Sequence, residues 1–468
     1  MRNSRLATVV VLLLALPAAA QMRPESLVFK PLLFSPSVPE VQKLPNGITL
    51  YLLEDHEVPI IHGFAIARGG SLWEPAGKEG LADIAGEVMR TGGAGRWTGE
   101  ELDERLELLA GSVEAQYTAE YGTVSFSALC KDFREVLGLA VDVMRSPRFD
   151  ESKIEVARSR KIDRYRRQFD TPATIADTVF KELLYGGDSP YAAYPTVAGV
   201  SSLTRPDLVE FHTSCWQPTN ITLAVYGDFV LKEMMSLLKR TIGSWKGGDV
   251  PRRLPPPVGY EPAPGVYFVE KKALQQATIR MGHLGPRRNG PDHYALIPMN
   301  LILGTGSLSR FPRELISNRG LTYTAGCGVF EGLERGTVMA SVQTDASNLT
   351  VALEVAREVL GGFPSSGITS DERKTALDWL ESSLVFRFAS PGGVLSQAVI
   401  SRLQGFPETY WTTYLDRIRR VSEDDMLAAA RRTIHPDRLV VLIVGDKERL
   451  GEQLKKLGDY KELPVPKS

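Results

Sequence analysis

The chain has 468 residues, enough for two or three domains, and its 55 Lys and Arg residues nearly balance its 56 Asp and Glu residues. This near-neutral charge argues against nucleic-acid binding through a large basic field. Apolar residues make up 43% of the chain and charged residues 24%, a composition that argues against disorder over most of its length.

The first twenty residues have the pattern of a secretory signal peptide. Arg2 and Arg5 precede an apolar run from Leu6 to Leu16, which ends in an Ala-x-Ala cleavage pattern. The run is too short to span a bilayer, which needs about 20 apolar residues. We therefore expect residues 1–20 to be removed and the mature chain, beginning at Gln21, to be periplasmic or secreted.

Strand and helix patterns alternate along the first half of the chain. Residues 48–53 and 60–67 predict strands, and residues 80–90 predict a helix. Thr98 with Glu101 is a capping box that begins a second helix. Residues 151–168 predict a long charged helix with a basic cluster, which we interpret as a solvated face or, alternatively, as a surface for an acidic partner or peptide: Arg158, Arg160, Lys161, Arg164, Arg166 and Arg167.

A proline-rich segment divides the chain near its middle. Residues 246–265 contain six prolines, which cannot propagate a helix or a central strand. We interpret this segment as an extended linker between an N-terminal domain at 40–245 and a C-terminal domain at 266–460.

The two halves share a pattern that indicates an internal duplication. Thr204 and Ser422 each begin a helix with an acidic residue three positions later, which is a form of capping box. Each helix runs to a proline, at 218 and 436, and each is followed by a β-branched strand that ends in Gly-Asp. The second copy lies 218 residues after the first throughout. We therefore predict an α+β fold of two homologous α/β-sandwich domains.

Several motifs resemble one family of peptidases. Asn46-Gly47-Ile48-Thr49 leads into a strand, Gly69-Gly70-Ser71-Leu72-Trp73-Glu74 precedes Gly80-Leu81-Ala82, and the second half contains Arg319-Gly320-Leu321-Thr322-Tyr323. Together they resemble the pitrilysin/insulinase-like metallopeptidases, which include mitochondrial processing peptidase. The resemblance covers residues 40–460 and implies that the two domains form half of a clamshell.

The zinc motif of that family is degenerate here. In active members the helix after Gly-Leu-Ala carries His-x-x-Glu-His, whose two His bind zinc and whose Glu activates water. Asp83 and Glu87 occupy the His positions, and Gly86, which has no side chain to accept a proton, occupies the Glu position. No two of the six His lie three, four or five residues apart. We therefore expect no zinc or other cofactor in this chain.

The other functional positions of the family are partly kept. Glu155 matches the downstream metal-binding Glu, so Asp83, Glu87 and Glu155 could form an all-oxygen site, or they are solvated or vestigial charges. Tyr323 matches a substrate-binding Tyr, but the Arg expected seven residues earlier is Ile316. Tyr323 is therefore either a substrate contact, able to donate to an oxyanion, or a half-buried strand residue.

Three functions are consistent with this pattern. The first, which the resemblance favours, is a non-catalytic subunit that closes a peptidase chamber beside a zinc-bearing partner. The second is a stand-alone metal-dependent endopeptidase that uses the carboxylate site. The third is a peptide-binding or structural protein, similar to the core subunits of respiratory complexes, which binds peptides at a sheet edge.

Overall fold

The computed structural model describes residues 34–248 and 253–468. Residues from Ser35 onward form one compact unit. The predicted signal peptide at 1–20 lies outside the described residues and stays a prediction. Within the described ranges, no helix is both long and apolar enough to cross a membrane.

The first half is built on a six-stranded mixed sheet. Its strands run in the order β1-β2-β6-β3-β5-β4, so that β1 and β4 are the edges. Only β2 and β6 pair in parallel. The strands are β1 (Glu40–Lys43), β2 (Thr49–Glu54), β3 (Ile60–Arg68), β4 (Ser112–Tyr117), β5 (Tyr121–Leu129) and β6 (Ile221–Gly227).

The helices of the first half begin where the sequence signals place them. Thr98 and Glu101 form both hydrogen bonds of the predicted capping box. The long charged helix begins at Glu151, as predicted, and is capped by Asp150. The helices are α1 (Leu81–Thr91), α2 (Gly99–Leu108), α3 (Phe133–Arg145), α4 (Glu151–Arg166), α5 (Pro172–Tyr185), α6 (Val197–Ser201), α7 (Arg205–Cys215) and α8 (Leu231–Thr241).

The second half repeats this arrangement. Its sheet has the order β12-β7-β11-β8-β10-β9, with β7 and β11 parallel in the places of β2 and β6. The final strand, β12, pairs parallel with β7, whereas β1 pairs antiparallel with β2. The strands are β7 (Gly265–Glu270), β8 (Gln276–Gly285), β9 (Thr322–Phe330), β10 (Gly336–Asp345), β11 (Val440–Gly445) and β12 (Lys461–Leu463).

The helices of the second half follow in the same sequence. Ser422 and Asp425 form a complete capping box, as do Thr204 and Asp207 in the first half, so the predicted duplication is confirmed. A π-helical turn, Arg313–Asn318, follows the shortest helix. The helices are α9 (His293–Leu303), α10 (Arg310–Pro312), α11 (Leu349–Gly362), α12 (Ser370–Arg387), α13 (Pro391–Leu403), α14 (Tyr410–Arg420), α15 (Glu423–Thr433) and α16 (Lys447–Lys456).

The two halves exchange a helix. In each sheet, alternate residues face two different apolar clusters because side chains alternate across a strand. One face of the first sheet packs against helices of its own half, whereas Tyr51, Ile66 and Ala224 on the other face pack against Leu395 and Val399 of α13. Reciprocally, α5 of the first half packs on β8 and β11. Each sheet therefore needs the other half to cover it.

The proline-rich linker is bound to the first half rather than free. From Arg253 to Pro264 it contains neither helix nor strand, as its prolines predict. The Trp73 indole donates to the Leu254 carbonyl at 3.1 Å, and the Tyr191 hydroxyl donates to the Pro256 carbonyl at 3.0 Å. These contacts hold the linker beside the segment that leads into α1.

Candidate functional site

Helix α1 carries the degenerate motif and begins at a buried glycine. Gly80 has φ of +99°, a conformation that suits glycine, and it is the N-cap of α1. The Glu74 carboxylate accepts the backbone N–H of Ala82 at 2.6 Å and that of Gly80 at 3.1 Å. Glu74, which ends the Gly69–Glu74 segment of the motif, thus caps the helix that carries Asp83, Gly86 and Glu87.

Asp83 and Glu87 lie on one side of α1 and meet a cation from α4. The Lys161 ammonium donates to Asp83 Oδ1 at 2.6 Å and lies 3.8 Å from Glu87 Oε2. Lys161 is only 6% exposed. The basic cluster on α4 is therefore not uniformly solvated, and the prediction of a solvated face is wrong for Lys161.

The remaining oxygens of this carboxylate pair are also engaged. The Tyr165 hydroxyl donates to Asp83 Oδ2 at 2.6 Å, and Arg160 donates to Glu87. Burial and the hydrogen bond to Asp83 raise the pKa of Tyr165 well above its ordinary value, so its hydroxyl stays protonated. Lys161, Tyr165 and Arg160 therefore surround the two carboxylates with donors from α4.

Glu155 does not join this group. Its side chain is 63% exposed and pairs with Arg158 one turn along the same helix. Helix α4 buries Ile154, Ala157, Lys161 and Tyr165, and that face is the one that meets α1. In the part of the chain that the structure describes, no three His, Cys, Asp or Glu side chains form a group that could hold a metal ion.

Gly86 lies against the edge strand β4. A Cβ atom built on Gly86 would lie 3.0 Å from the Cα of Gln116 and 3.0 Å from the backbone nitrogen of Tyr117. These are backbone atoms, which cannot move aside as a flexible side chain could. The glycine at the position of the catalytic Glu is therefore explained by close packing of α1 on β4.

A cavity of about 240 Å³ opens beside this carboxylate–ammonium cluster. Its walls come from α1, from the edge strand β4 and from Lys161, and the side chains that line it are mainly charged or polar: Asp83, Glu87, Arg90, Thr91, Glu114, Gln116, Tyr117 and Lys161. This cavity can accept polar groups of a ligand that lies along β4.

The site does not fit zinc. Zinc in proteins is held by Cys sulfur and His nitrogen atoms, often together with a carboxylate oxygen. The lining of this site offers two acidic residues of α1 and no His. Both Asp83 oxygens already accept hydrogen bonds, and a buried ammonium supplies the positive charge that a metal would bring. The chain's own side chains thus neutralise the position at which a metal is expected from the family resemblance.

Tyr323 lies on β9, an edge strand of the second sheet, and is 94% exposed. The half-buried alternative for this residue is therefore wrong. Ile316, seven residues earlier, lies in the π-helical turn, and the neighbouring Arg319 lies 3.7 Å from Glu314 and 3.8 Å from Glu358. The exposed Tyr323 hydroxyl makes no hydrogen bond with any residue in the described ranges and can contact a substrate or partner, but Ile316 stands where the resemblance predicts a companion Arg.

Two models of one family match the chain. The model described as Insulinase (Peptidase family M16) matches residues 66–185, and the model described as Peptidase M16 inactive domain matches residues 202–378. The chain belongs to peptidase family M16. The resemblance inferred from the Gly80-Leu81-Ala82 and Arg319–Tyr323 motifs is thereby confirmed.

Several known proteins are similar to this chain over most of its length. An uncharacterized zinc protease of Streptomyces coelicolor is 23% identical over 88% of this chain and 87% of its own length. An M16 inactive domain from Pseudomonas fluorescens has a TM-score of 0.78 at 21% identity, covering 87% of this chain and 98% of that one. The periplasmic protease PqqL from Escherichia coli has a TM-score of 0.77 at 16% identity, covering 95% of this chain and 49% of that one. These structures confirm the predicted α+β fold.

Proposed function

We propose that this M16 chain is a non-catalytic subunit of an exported peptidase, which binds peptide beside a homologous, zinc-bearing partner. The contact between Lys161 and Asp83 carries the proposal, because an internal cation pairs with the residue at a metal-ligand position and supplies the positive charge that the family resemblance assigns to a metal ion. Gly86 supplies no general base for activating water. The chain alone therefore has neither the ligands nor the base for zinc-dependent hydrolysis.

The position of the cavity supports a role in peptide binding. Strand β4 is an edge of the first sheet, so one side of its backbone is available to an added strand. The cavity beside Lys161 is lined by residues 114–117 of this strand. A peptide that extends β4 would thus place side chains against the cluster of Asp83, Glu87 and Lys161.

The sequence supports the remaining parts of the proposal. The leader pattern at residues 1–20 favours export to the periplasm or secretion. Zinc would be carried by the partner, whose His-x-x-Glu-His helix would supply the chemistry that this chain lacks. The partner and the peptide substrate are the elements that the following experiment tests.

The proposal is tested by a reconstitution assay. The mature chain, residues 21–468, is assayed with zinc on a fluorogenic peptide library, alone and mixed with a His-x-x-Glu-His homologue from the same organism. We expect activity only in the mixture, above that of the homologue alone. We expect Tyr323→Phe to lower this gain severalfold, whereas Tyr260→Phe, at another exposed tyrosine, should leave it unchanged.

Other outcomes of the assay would contradict the proposal. Hydrolysis by the chain alone that is lost on Glu87→Ala would establish the stand-alone endopeptidase with a carboxylate site. If the chain hydrolyses no peptide alone and adds no activity in the mixture, the result would favour a peptide-binding or structural protein that needs no zinc-bearing partner.

The internal cation is tested separately by a metal-rescue experiment. Lys161→Ala removes the ammonium, and we expect Mn²⁺ to raise the melting temperature of this variant because two carboxylates then face an empty cavity. The wild type and Lys153→Ala, which removes a surface lysine paired with Glu100, should show no such rise. An equal rise in the wild type would mean that Lys161 does not exclude a metal.

A further inference from the structure

A larger cavity lies in the second half, away from the cluster at Lys161. It has a volume of about 400 Å³, within the range of roughly 300–1,000 Å³ that small-molecule sites occupy. Its walls come from α9, α13, α14 and the end of β9, and it shares no lining residue with the cavity beside Lys161. The two cavities are therefore separate sites.

One wall of this cavity holds a buried carboxylate oxygen without a donor. His293 Nδ1 lies 2.5 Å from Glu331 Oε2, and His293 Nε2 lies 2.9 Å from the Tyr410 hydroxyl. With its proton on Nδ1, His293 donates to Glu331 and accepts from Tyr410, which fixes the Glu331 side chain. Glu331 Oε1 is covered by its neighbours and has no hydrogen-bond partner among the described residues, so a donor in the cavity reaches it only when the Glu331 side chain turns toward the cavity.

This free oxygen indicates what a ligand must supply. A buried polar atom that lacks a partner is unfavourable, and native proteins rarely leave one unless water, an ion or a ligand meets it. Within the described residues, Glu331 Oε1 is the one buried side-chain acceptor in this state, since the other two such atoms belong to arginines. The complementary group is an N–H donor, and an ammonium group would also balance the charge of the carboxylate.

Aromatic rings form the neighbouring wall. Phe406, Tyr410 and Trp411 all line the cavity, with ring centroids 4.2 Å apart for Phe406 and Tyr410 and 4.8 Å apart for Tyr410 and Trp411. Aromatic faces attract a cation and also pack against apolar groups. This wall suits a ligand that joins an ammonium group to an apolar side chain.

A positive charge completes the cavity. Arg387, the last residue of α12, lines it and makes no ion pair or side-chain hydrogen bond with any residue that the structure describes. A guanidinium group is well suited to binding a carboxylate through two parallel hydrogen bonds. The lining of the cavity thus combines an unpaired acceptor, a cationic donor and an apolar wall.

We propose that this cavity binds a free apolar α-amino acid. The ammonium group donates to Glu331 Oε1, the carboxylate accepts from Arg387, and the side chain packs against Phe406 and Trp411. No atom of the proposed partner is needed, so the site stands independently of the subunit role.

Calorimetric titration of the full mature chain tests the proposal with matched ligands. The probes are phenylalanine and leucine, with phenethylamine, which lacks the carboxylate, and 3-phenylpropionate, which lacks the ammonium group. We expect both amino acids to bind and each single-charge analogue to bind at least tenfold more weakly than phenylalanine. E331Q should weaken phenylalanine binding at least tenfold, whereas E358Q, at a surface glutamate, should not change it.

A second variant keeps the proposal falsifiable if E331Q does not fold. Arg387 is exposed, so R387Q should leave the fold intact. We expect R387Q to weaken phenylalanine binding to the level of phenethylamine. Failure of both amino acids to bind the wild type, equal binding of phenethylamine, or full binding by R387Q would each overturn the proposal.

Discussion

At the scale of single residues, Glu74 couples the candidate site to pH. Burial raises the pKa of Glu74 from 4.5 to about 7, against the opposing effect of hydrogen bonds from Ala82 and Gly80. Between these two values the folded protein holds a proton that the unfolded chain has released. The free energy of unfolding contributed by Glu74 therefore falls as pH rises from 4.5 to 7 and is level above pH 7.

This pH dependence can be measured with one substitution. We expect the free energy of unfolding of the wild type to fall by about 3 kcal/mol between pH 4.5 and 8 because of Glu74. In Glu74→Gln this fall should be absent, since the amide does not ionise. Urea unfolding of both proteins at several pH values gives this difference directly. Glu107→Gln, at an exposed position on α2, should retain the wild-type slope. A Glu74→Gln slope equal to that of the wild type would show that Glu74 ionises normally in the fold.

The residues of the candidate site were only partly predictable from the sequence. The Gly80-Leu81-Ala82 motif sets the register, so Asp83, Gly86 and Glu87 could be assigned without a structure. Lys161 could not, because its burial depends on which face of α4 turns toward α1. The spacing of Ile154, Ala157 and Tyr165 carried that signal, but a highly charged helix masks a narrow buried stripe.

At the scale of elements, the contact between α1 and β4 depends on the absence of a side chain at Gly86. A methyl group there would lie 3.0 Å from two backbone atoms of β4. We expect Gly86→Ala to destabilise the protein by up to about 2 kcal/mol, because an overpacking cost of about 1–3 kcal/mol opposes a gain of about 1 kcal/mol in helix propensity. Chemical denaturation measures the change in the free energy of unfolding.

The chain offers a matched control for this substitution in α3. Gly138 is also inside a helix, but an added Cβ would meet nothing within 4 Å. Gly138→Ala should therefore be neutral or stabilising by up to about 1 kcal/mol. If Gly86→Ala stabilised the protein to the same extent, then β4 would have room for a side chain, and the glycine would have no packing role.

Local sequence signals predicted the positions of helices and strands better than they predicted which elements pack together. Thr98, Thr204 and Ser422 begin helices with capping boxes that satisfy backbone groups within four residues, so no distant contact decides them. The predicted strand at 60–67 likewise matches β3 to within one residue. The π-helical turn at Arg313–Asn318 had no such local signal and was not predicted.

At the scale of the whole molecule, the exchanged helices couple the two halves. Leu395 of α13 is fully buried against Tyr51, Ile66 and Ala224 of the first sheet. We expect Leu395→Ala to destabilise the protein by about 2–4 kcal/mol through the cavity it leaves. Hydrogen exchange should become faster in β2 and β6 of the first half, although the substitution lies in the second half, and calorimetry should still show one unfolding transition.

Leu108→Ala is the control, since Leu108 is 77% exposed on α2. Its effect should stay within about 0.5 kcal/mol. Two separate calorimetric transitions, with Leu395→Ala moving only the transition of the second half, would mean that the halves unfold as independent domains.

The exchange lay beyond what the sequence could predict. The duplication was visible in Thr204, Ser422 and the two Gly-Asp strand ends, and it implied two similar sheets. Nothing in the pattern of α5 or α13 distinguishes packing on its own sheet from packing on the other, because both arrangements bury the same apolar stripe. Contacts such as Arg280 with Asp177, at 2.7 Å, also join the halves through pairs that are far apart in sequence.

The helix exchange has a consequence for the origin of the chain. If a single half-length ancestor folded in this way, each copy would have lacked a cover for its own sheet, so the ancestor would have been an obligate two-fold dimer of identical subunits. Joining two such copies through the proline-rich segment would then have allowed each later substitution to change one half alone. An ancestral symmetric pair could change only at both positions together, whereas the fused gene could replace residues in α1 and leave α9 untouched. Loss of metal ligands from one half is an asymmetry that a pair of identical subunits could not carry.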